Sequence, residues 1–456
     1  MGEKLWARDV IGLFGTKMVL FPLGLITGIL VTRVLGPADK GVFAFVTLLI
    51  GFVGPLLQFG FGNGIRYYVS AGEFHPRDVA FSAFVTRLFL GVMAAVVLGV
   101  LYQSHALGET ASVIRWSELL PVLACLPLVG AGTVMQWILI GDSQFNVVNF
   151  LDMARSALLI ILLWAMVVLG HLGLVGAIWS LLVGQVAVAL AMCGAVVGLY
   201  RPRLRIDARA IVQSFSYGIR MWIGTIAVRS NNRLDQFVLA VSASASQLGQ
   251  YSVAVRVAEL PLMLGSVSGP VVFNRIATSA ADEDRVGIVD RVHRAQTGLV
   301  GGVLLALGLV GYLTIPVLYG QAFKGAVVPF LLYLPGVLAY ASQQVIGKYF
   351  SGSGHPLVAS ILQVVGLGVG LPAYLVLIPR YGAKGASIAS SLVYSTTAVC
   401  GIVAYCRMAR PQKARPLAFS GADWRWALGQ LQKGLAQWSG SLGHLKSRIR
   451  GALKRS

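Results

Sequence analysis

The residues best suited to chemistry lie between Arg220 and Glu259, where Arg220, Arg229, Arg233, Asp235, Arg256 and Glu259 interrupt two otherwise apolar segments. Charges inside apolar spans are costly in lipid and mark paths for ions or substrates. On a helix, Trp222, Thr225, Arg229, Asn232, Arg233 and Gln236 recur at i, i+3, i+4 spacing and share one face, while Ile223, Ile226, Leu234 and Phe237 fall elsewhere. Such a polar stripe lines a watery cavity. The alternative, a loop outside the membrane, leaves two hydrophobic pieces too short to span.

Seven bases fall inside apolar segments. Counted from the nearer helix ends, Lys17, Arg87, Arg155 and Arg220 lie about 12 Å deep and form an inner tier. Arg229, Arg233 and Arg256 form an outer one. Asp152, Asp235 and Glu259 are the only acids at similar depth, so the interior keeps an excess of positive charge. Arginine suits planar, bidentate recognition of phosphate, which points to an anionic ligand. The competing account is that each base snorkels to an interface or pairs locally, as Arg155 can with Asp152. A hairpin about Ser242 to Gln250 sets Asp235 opposite Arg256 and Asn232 opposite Glu259 in depth, so an Asp235–Arg256 salt bridge is expected. One reading makes it a permanent structural pair. In the other, Arg256 releases Asp235 to the substrate, and Asp235 or Glu259 takes up a proton and couples transport to an ion.

These side chains need a membrane scaffold, and the composition provides one: of 456 residues, 56% are hydrophobic and 12% charged, with mean hydropathy +0.76. Soluble domains carry roughly 25% charged residues. Apolar windows of spanning length fall near 9–33, 41–65, 79–102, 117–140, 147–170, 174–199, 212–241, 249–274, 296–318, 326–349, 357–378 and 383–406. The expected fold is an all-α polytopic membrane protein with twelve transmembrane helices in two parallel-repeat six-helix bundles around a central cavity. Pro121 and Pro127 recur as Pro329 and Pro335, and Gly41 recurs as Gly249, all at an offset of 208. An even number of spans per half gives the halves the same orientation, and sites in such folds lie between them. The expected units are a bundle over 1–206, a bundle over 207–410 and a basic tail over 411–456.

Lys and Arg concentrate in the connections on the side of the N-terminus, which places both termini in the cytoplasm. Within the tail, Trp424, Leu428, Leu431, Leu435, Trp438 and Leu442 recur every three or four residues with bases off the stripe. That pattern suits a helix on anionic lipid, with a coiled-coil seam as the rival. The net charge of +20 is thereby distributed over loops, tail and spans, and no nucleic-acid partner is needed. No phosphate-binding loop, H-E-x-x-H or C-x-x-C motif occurs, the six histidines fall in expected loops or the tail, and no cofactor or metal is implied.

The run from Val31 to Phe43 containing Gly36-Pro37 and Lys40-Gly41, then Gly60-Phe61-Gly62 and Arg66-Tyr67-Tyr68, resembles the opening of the polysaccharide-biosynthesis flippases of the multidrug/oligosaccharidyl-lipid/polysaccharide exporter superfamily. Asp235, the run Leu248 to Tyr251 and the two Gly-x-x-Gly-Ala motifs at Gly173 and Gly382 match the same pattern, and the likeness covers roughly 8–406. It implies a flippase, not an enzyme, that moves a polyprenyl-diphosphate-linked oligosaccharide to the outer leaflet of the bacterial inner membrane for O-antigen, capsule or exopolysaccharide assembly. Polysaccharide polymerase machinery is the further partner it implies. A membrane polymerase or ligase acting on the same donors is the alternative from another class, and a lipid II or drug exporter the alternative within the superfamily.

Overall fold

The computed structural model describes residues 2–53, 56–263, 276, 279, 281–409 and 415–418. Among them there are helices and turns but no strand. Long apolar runs become helices because a spanning segment must satisfy its own backbone polar groups. The first helix, α1 (Gly2–Leu48), bends sharply at Gly36, whose φ of 71° lies outside the helical region. Pro37 follows and starts a second segment, which ends in a π-helical turn (Leu49–Val53). Gly60, again left-handed with φ 71°, starts α2 (Phe61–Ser70).

Then come α3 (Pro76–Gln103), a short α4 (Gly108–Ser112), α5 (Trp116–Gly141), α6 (Phe145–Leu163) with a π-helical extension to Leu169, and α7 (Gly173–Tyr200). The remaining helices are α8 (Ala208–Ser242), α9 (Ala245–Ala258), α10 (Asp282–Tyr319), α11 (Val327–Gly352), α12 (Pro356–Tyr381) and α13 (Ala383–Met408). We call the end of the molecule where the chain begins proximal. The opposite end, with the Gly36 bend and the α8–α9 turn, is distal.

Nine helical stretches among the described residues are long and apolar enough to cross a membrane, and the chain is an all-α, multi-pass membrane protein. Helix α8 is not one of the nine, yet its 35 residues exceed the length a span needs. What lowers its hydropathy is the stripe of polar residues, and the stretch is one continuous helix rather than a loop. Another expectation needs correcting at α10, which begins at Asp282 rather than near 296. The apolar window misses the charged first turns, and His293 is therefore a buried helical residue instead of a loop residue. Most of the basic tail, 419–456, lies outside the described residues, as do Pro270 and Arg275.

Two seams join the N-terminal helices to the C-terminal ones. Distally, the second segment of α1 packs on α9. A Cβ at Gly41 would collide with the Ala245 carbonyl and one at Gly249 with the Pro37 carbonyl, so these backbones touch because neither residue has a side chain. Nearer the proximal end, α2 crosses α8 where Gly60 meets Gly218 in the same manner. Thr110 Oγ1 on α4 donates to the Ala243 carbonyl at 3.2 Å, adding a further tie at the distal end.

Candidate functional site: a cationic stripe backed by a tyrosine–carboxylate cluster

Asp207 caps the N-terminus of α8, its Oδ1 accepting from the Ala210 N–H at 3.1 Å. From there one uninterrupted helix carries Trp222, Thr225, Arg229, Asn232, Arg233 and Gln236 through the middle of the molecule. Arg229 is half-buried and has no carboxylate partner among the described residues. Arg233 is more open, and its Nη1 stands 4.0 Å from Glu259 Oε1 just beyond α9.

Behind the stripe lies Asp235, only 1% exposed. Its Oδ1 accepts from the Gln236 N–H at 2.7 Å, while Oδ2 accepts from the Tyr251 hydroxyl and from Ser390 Oγ at 3.0 Å. Glu259 Oε1 accepts from the Tyr333 hydroxyl at 3.3 Å, and Tyr333 is itself 3.3 Å from the Tyr394 hydroxyl. Tyr394 donates to the Asn231 carbonyl at 3.4 Å. The Asn231 amide donates to the carbonyl and the side-chain oxygen of Gln363 at 2.8 and 2.9 Å. The ring of Tyr340 packs against that of Tyr394, centroid to centroid 4.9 Å. Five helices, α8, α9, α11, α12 and α13, thus converge on two carboxylates whose oxygens are held by phenols and a serine, as buried polar groups require.

The expected Asp235–Arg256 pair does not form. Matching depth along a hairpin says nothing about direction around the helix, and Tyr251, five residues before Arg256, is the residue that α9 turns toward Asp235. Arg256 is exposed and lies within electrostatic reach of Lys40, Tyr319 and Glu259. In the inner tier, Arg155 pairs with Asp152 at 3.9 Å, and Gln136 also donates to that carboxylate at 3.1 Å, which is the local-pairing account of this base. Arg220 is exposed. Arg87 is buried between α3 and α5, where the bare Gly130 leaves room for its guanidinium, and its Nε has no partner among the described residues. The Lys17 side chain lies outside the described residues.

Of the expected site residues, the structure draws together Arg229, Asn232, Arg233, Asp235, Gln236 and Glu259. Tyr251, Tyr333, Tyr340, Tyr394, Ser390, Asn231 and Gln363 complete the cluster without having been expected. A lone tyrosine in an apolar span reads as packing, and the usable signal was that so many phenols on C-terminal spans needed partners. A separate polar cleft of about 510 Å3 lies at the distal end between Glu109, Gln247, Arg380 and Lys384, away from the stripe.

The family profile described as polysaccharide biosynthesis protein matches residues 30–328. The chain belongs to that family. A curated relative, the probable low-salt glycan biosynthesis flippase Agl15 of Haloferax volcanii, is 20% identical over 80% of this chain and 76% of its own length. Among solved structures, lipid II flippase MurJ in an inward closed conformation superposes with TM-score 0.73 at 13% identity, covering 94% of this chain and 97% of that one. An inward-facing multidrug resistance MATE transporter of the MOP superfamily gives TM-score 0.70 at 16% identity over 86% and 95%. An outward-facing MATE structure gives 0.54 at 17% identity over 90% and 96%. The chain therefore has the fold of these transporters, which agrees with the resemblance carried by its sequence motifs.

Proposed function

We propose that this protein is a flippase that carries a polyprenyl-diphosphate-linked oligosaccharide from the cytoplasmic to the outer leaflet of the cytoplasmic membrane for assembly of a surface polysaccharide such as O-antigen, capsule or exopolysaccharide. In this reading twelve spans form two bundles, 1–206 and 207–410, with the proximal end and both termini in the cytoplasm. The observation that carries it is the stripe on α8: Arg229 unpaired by any carboxylate among the described residues, with Asn232, Arg233 and Gln236 beside it. Two guanidiniums at neighbouring turns in a low-dielectric setting bind a diphosphate far more strongly than they would in water. The glycan biosynthesis flippase among the relatives supports the same substrate class.

The carboxylates behind the stripe are the coupling groups of this mechanism. Glu259 and an incoming phosphate compete for Arg233, which the loose 4.0 Å pair leaves free to turn. When phosphate wins, Glu259 loses the cation that offsets its charge, a condition under which a carboxylate in a low-dielectric site takes up a proton. The basic tail holds the cytoplasmic leaflet through anionic lipid, and polysaccharide polymerase machinery receives the product outside.

Proteoliposomes holding a labelled polyprenyl-diphosphate oligosaccharide test the proposal. The expected result is leaflet exchange by the wild-type chain without glycan transfer, and loss of exchange in the folded Arg229→Gln/Arg233→Gln double variant. Wild-type exchange by that variant overturns the role of the stripe, and glycan transfer by the purified chain replaces the flippase with a polymerase or ligase.

A further inference from the structure

The stripe that carries the arginines begins with an aromatic residue that the phosphate chemistry does not use. Trp222 lies seven residues before Arg229 on the same face of α8, about 10 Å nearer the proximal end at the rise of a helix. Its Nε1–H donates to the Leu56 carbonyl at 3.0 Å, which fixes the indole and spends its one donor. What remains available is the ring face. Across the seam between the N-terminal and C-terminal helices stands Phe59, its ring centroid 5.2 Å from that of Trp222 and the two planes 44° apart.

Three features set this pair apart from ordinary aromatic packing. Phe59 has a left-handed backbone, φ 49°, which is strained for a bulky residue and persists where the surroundings enforce it, as at ligand clamps. It is also 37% exposed, whereas the Phe61–Phe215 pair next to it includes a fully buried ring, and Tyr67 and Tyr217 stack 4.0 Å apart on each other's faces. Finally, Trp222 lies within three residues of the midpoint of α8. Tryptophans that anchor a protein at the membrane–water interface sit near helix ends, so an anchoring role does not account for this position.

We infer that Trp222 and Phe59 form a sugar-binding subsite that takes the first or second pyranose ring of the lipid-linked glycan while Arg229 and Arg233 hold its diphosphate. A pyranose has an apolar C–H face and polar edges, and sites for such ligands combine an aromatic surface with a few placed polar groups. The pair stands about 10 Å from the arginines along α8, within the reach of a glycan whose diphosphate is held there. Because one ring comes from the N-terminal helices and the other from the C-terminal ones, sugar binding would also report on how the two sets of helices are arranged. The inference rests on the proposed function for the identity of its ligand.

Binding to the purified chain in nanodiscs tests it with two probes, a short polyprenyl diphosphate and the same lipid carrying one N-acetylhexosamine. The wild type is expected to bind the glycosylated lipid about tenfold more tightly, a difference of about 1.4 kcal/mol. Trp222→Leu and Phe59→Leu should each erase most of that preference while leaving affinity for the bare lipid within about twofold, and Trp222→Phe, which keeps a ring, should retain part of it. Thermal melting of each variant identifies any that fails to fold, and the two Leu variants on different helices give independent readings. Equal binding of both lipids by the wild type, or an unchanged preference in the folded Leu variants, overturns the subsite and leaves the flippase reading intact. Failure of the wild type to bind either lipid overturns the flippase reading and the subsite with it.

Discussion

Gly41 and Gly249, 208 residues apart in the chain, lie against each other at the distal end. A Cβ built on Gly41 would stand 3.0 Å from the Gly249 nitrogen, and one built on Gly249 would stand 2.9 Å from the Gly41 nitrogen. Each would also strike a carbonyl of the opposite helix, Ala245 or Pro37, which are again 208 apart. The contact is therefore the same from both sides, as at a two-fold interface where one patch meets its own copy. The proposed two-bundle arrangement requires such a contact at its axis.

A transporter that opens distally must break this contact and remake it on return. Gly41→Ala and Gly249→Ala should each overpack the seam by about 1 to 3 kcal/mol, although Ala is otherwise about 1 kcal/mol better than Gly inside a helix. Gly28 on α1 has nothing within 4 Å of its would-be Cβ, so Gly28→Ala is the matched control. We expect leaflet exchange to fall about tenfold in either seam variant and to stay at the wild-type rate in the control. Undiminished exchange by the double seam variant would show that distal closure is not part of the cycle.

Tyr251→Phe removes one of the donors to Asp235 and leaves the buried carboxylate with Ser390 and the Gln236 amide. Losing a partner to a buried charged group costs about 1 to 3 kcal/mol, so the melting temperature in detergent should drop by several degrees. Asp235→Asn separates a structural from a coupling role. Coupling predicts that exchange loses its pH dependence in the Asn variant. Lower stability with the wild-type pH profile would leave Asp235 with the structural role alone.

Arg229, Asn232, Arg233 and Gln236 were legible because a helix repeats every 3.6 residues, and a stripe written in one segment stays a stripe when folded. Depth along a span was legible for the same reason. Direction around the next helix was not: Tyr251 and Arg256 differ by five positions, about 140° around the helix, and packing alone decided that the phenol would meet Asp235. The hydroxyl partners were hidden because Tyr251, Tyr333 and Tyr394 read as packing residues inside an otherwise apolar window. The same window trimmed the charged first turns from α10 and so misread His293.

His293 anchors the chain beyond α13. Its Nδ1–H donates to the Pro416 carbonyl at 3.0 Å, and Nε2 accepts from Ser342 Oγ at 2.7 Å. Asp290 accepts from the Arg415 N–H at 2.6 Å and from the Tyr405 hydroxyl at 2.8 Å. Residues 415–418 are thereby fastened to α10. His293→Ala or Asp290→Ala should speed hydrogen exchange of the Arg415 amide by about tenfold or more, since its opening then costs at least one fewer hydrogen bond. Unchanged protection in both variants would refute the anchor. Truncation after Ala418 tests lipid binding by the tail, whereas truncation before Arg415 would also take the Arg415 N–H from Asp290 and the Pro416 carbonyl from His293.

The Arg233–Glu259 pair gives the sharpest test of competition between carboxylate and phosphate. With N and O 4.0 Å apart and side chains 44% and 31% exposed, the pair contributes at most about 1 kcal/mol to stability. Glu259→Gln should therefore melt close to the wild type. Function should respond differently, because Arg233 then has no carboxylate to return to when the diphosphate leaves. Tighter binding of a polyprenyl diphosphate, by a few-fold, should accompany slower turnover, the signature of a ground state stabilised without the step that follows it. Arg233→Lys should weaken binding instead, since a lysine gives up the bidentate fork. If Glu259→Gln changes neither affinity nor turnover, Glu259 does not compete for Arg233 and coupling must run through Asp235 alone.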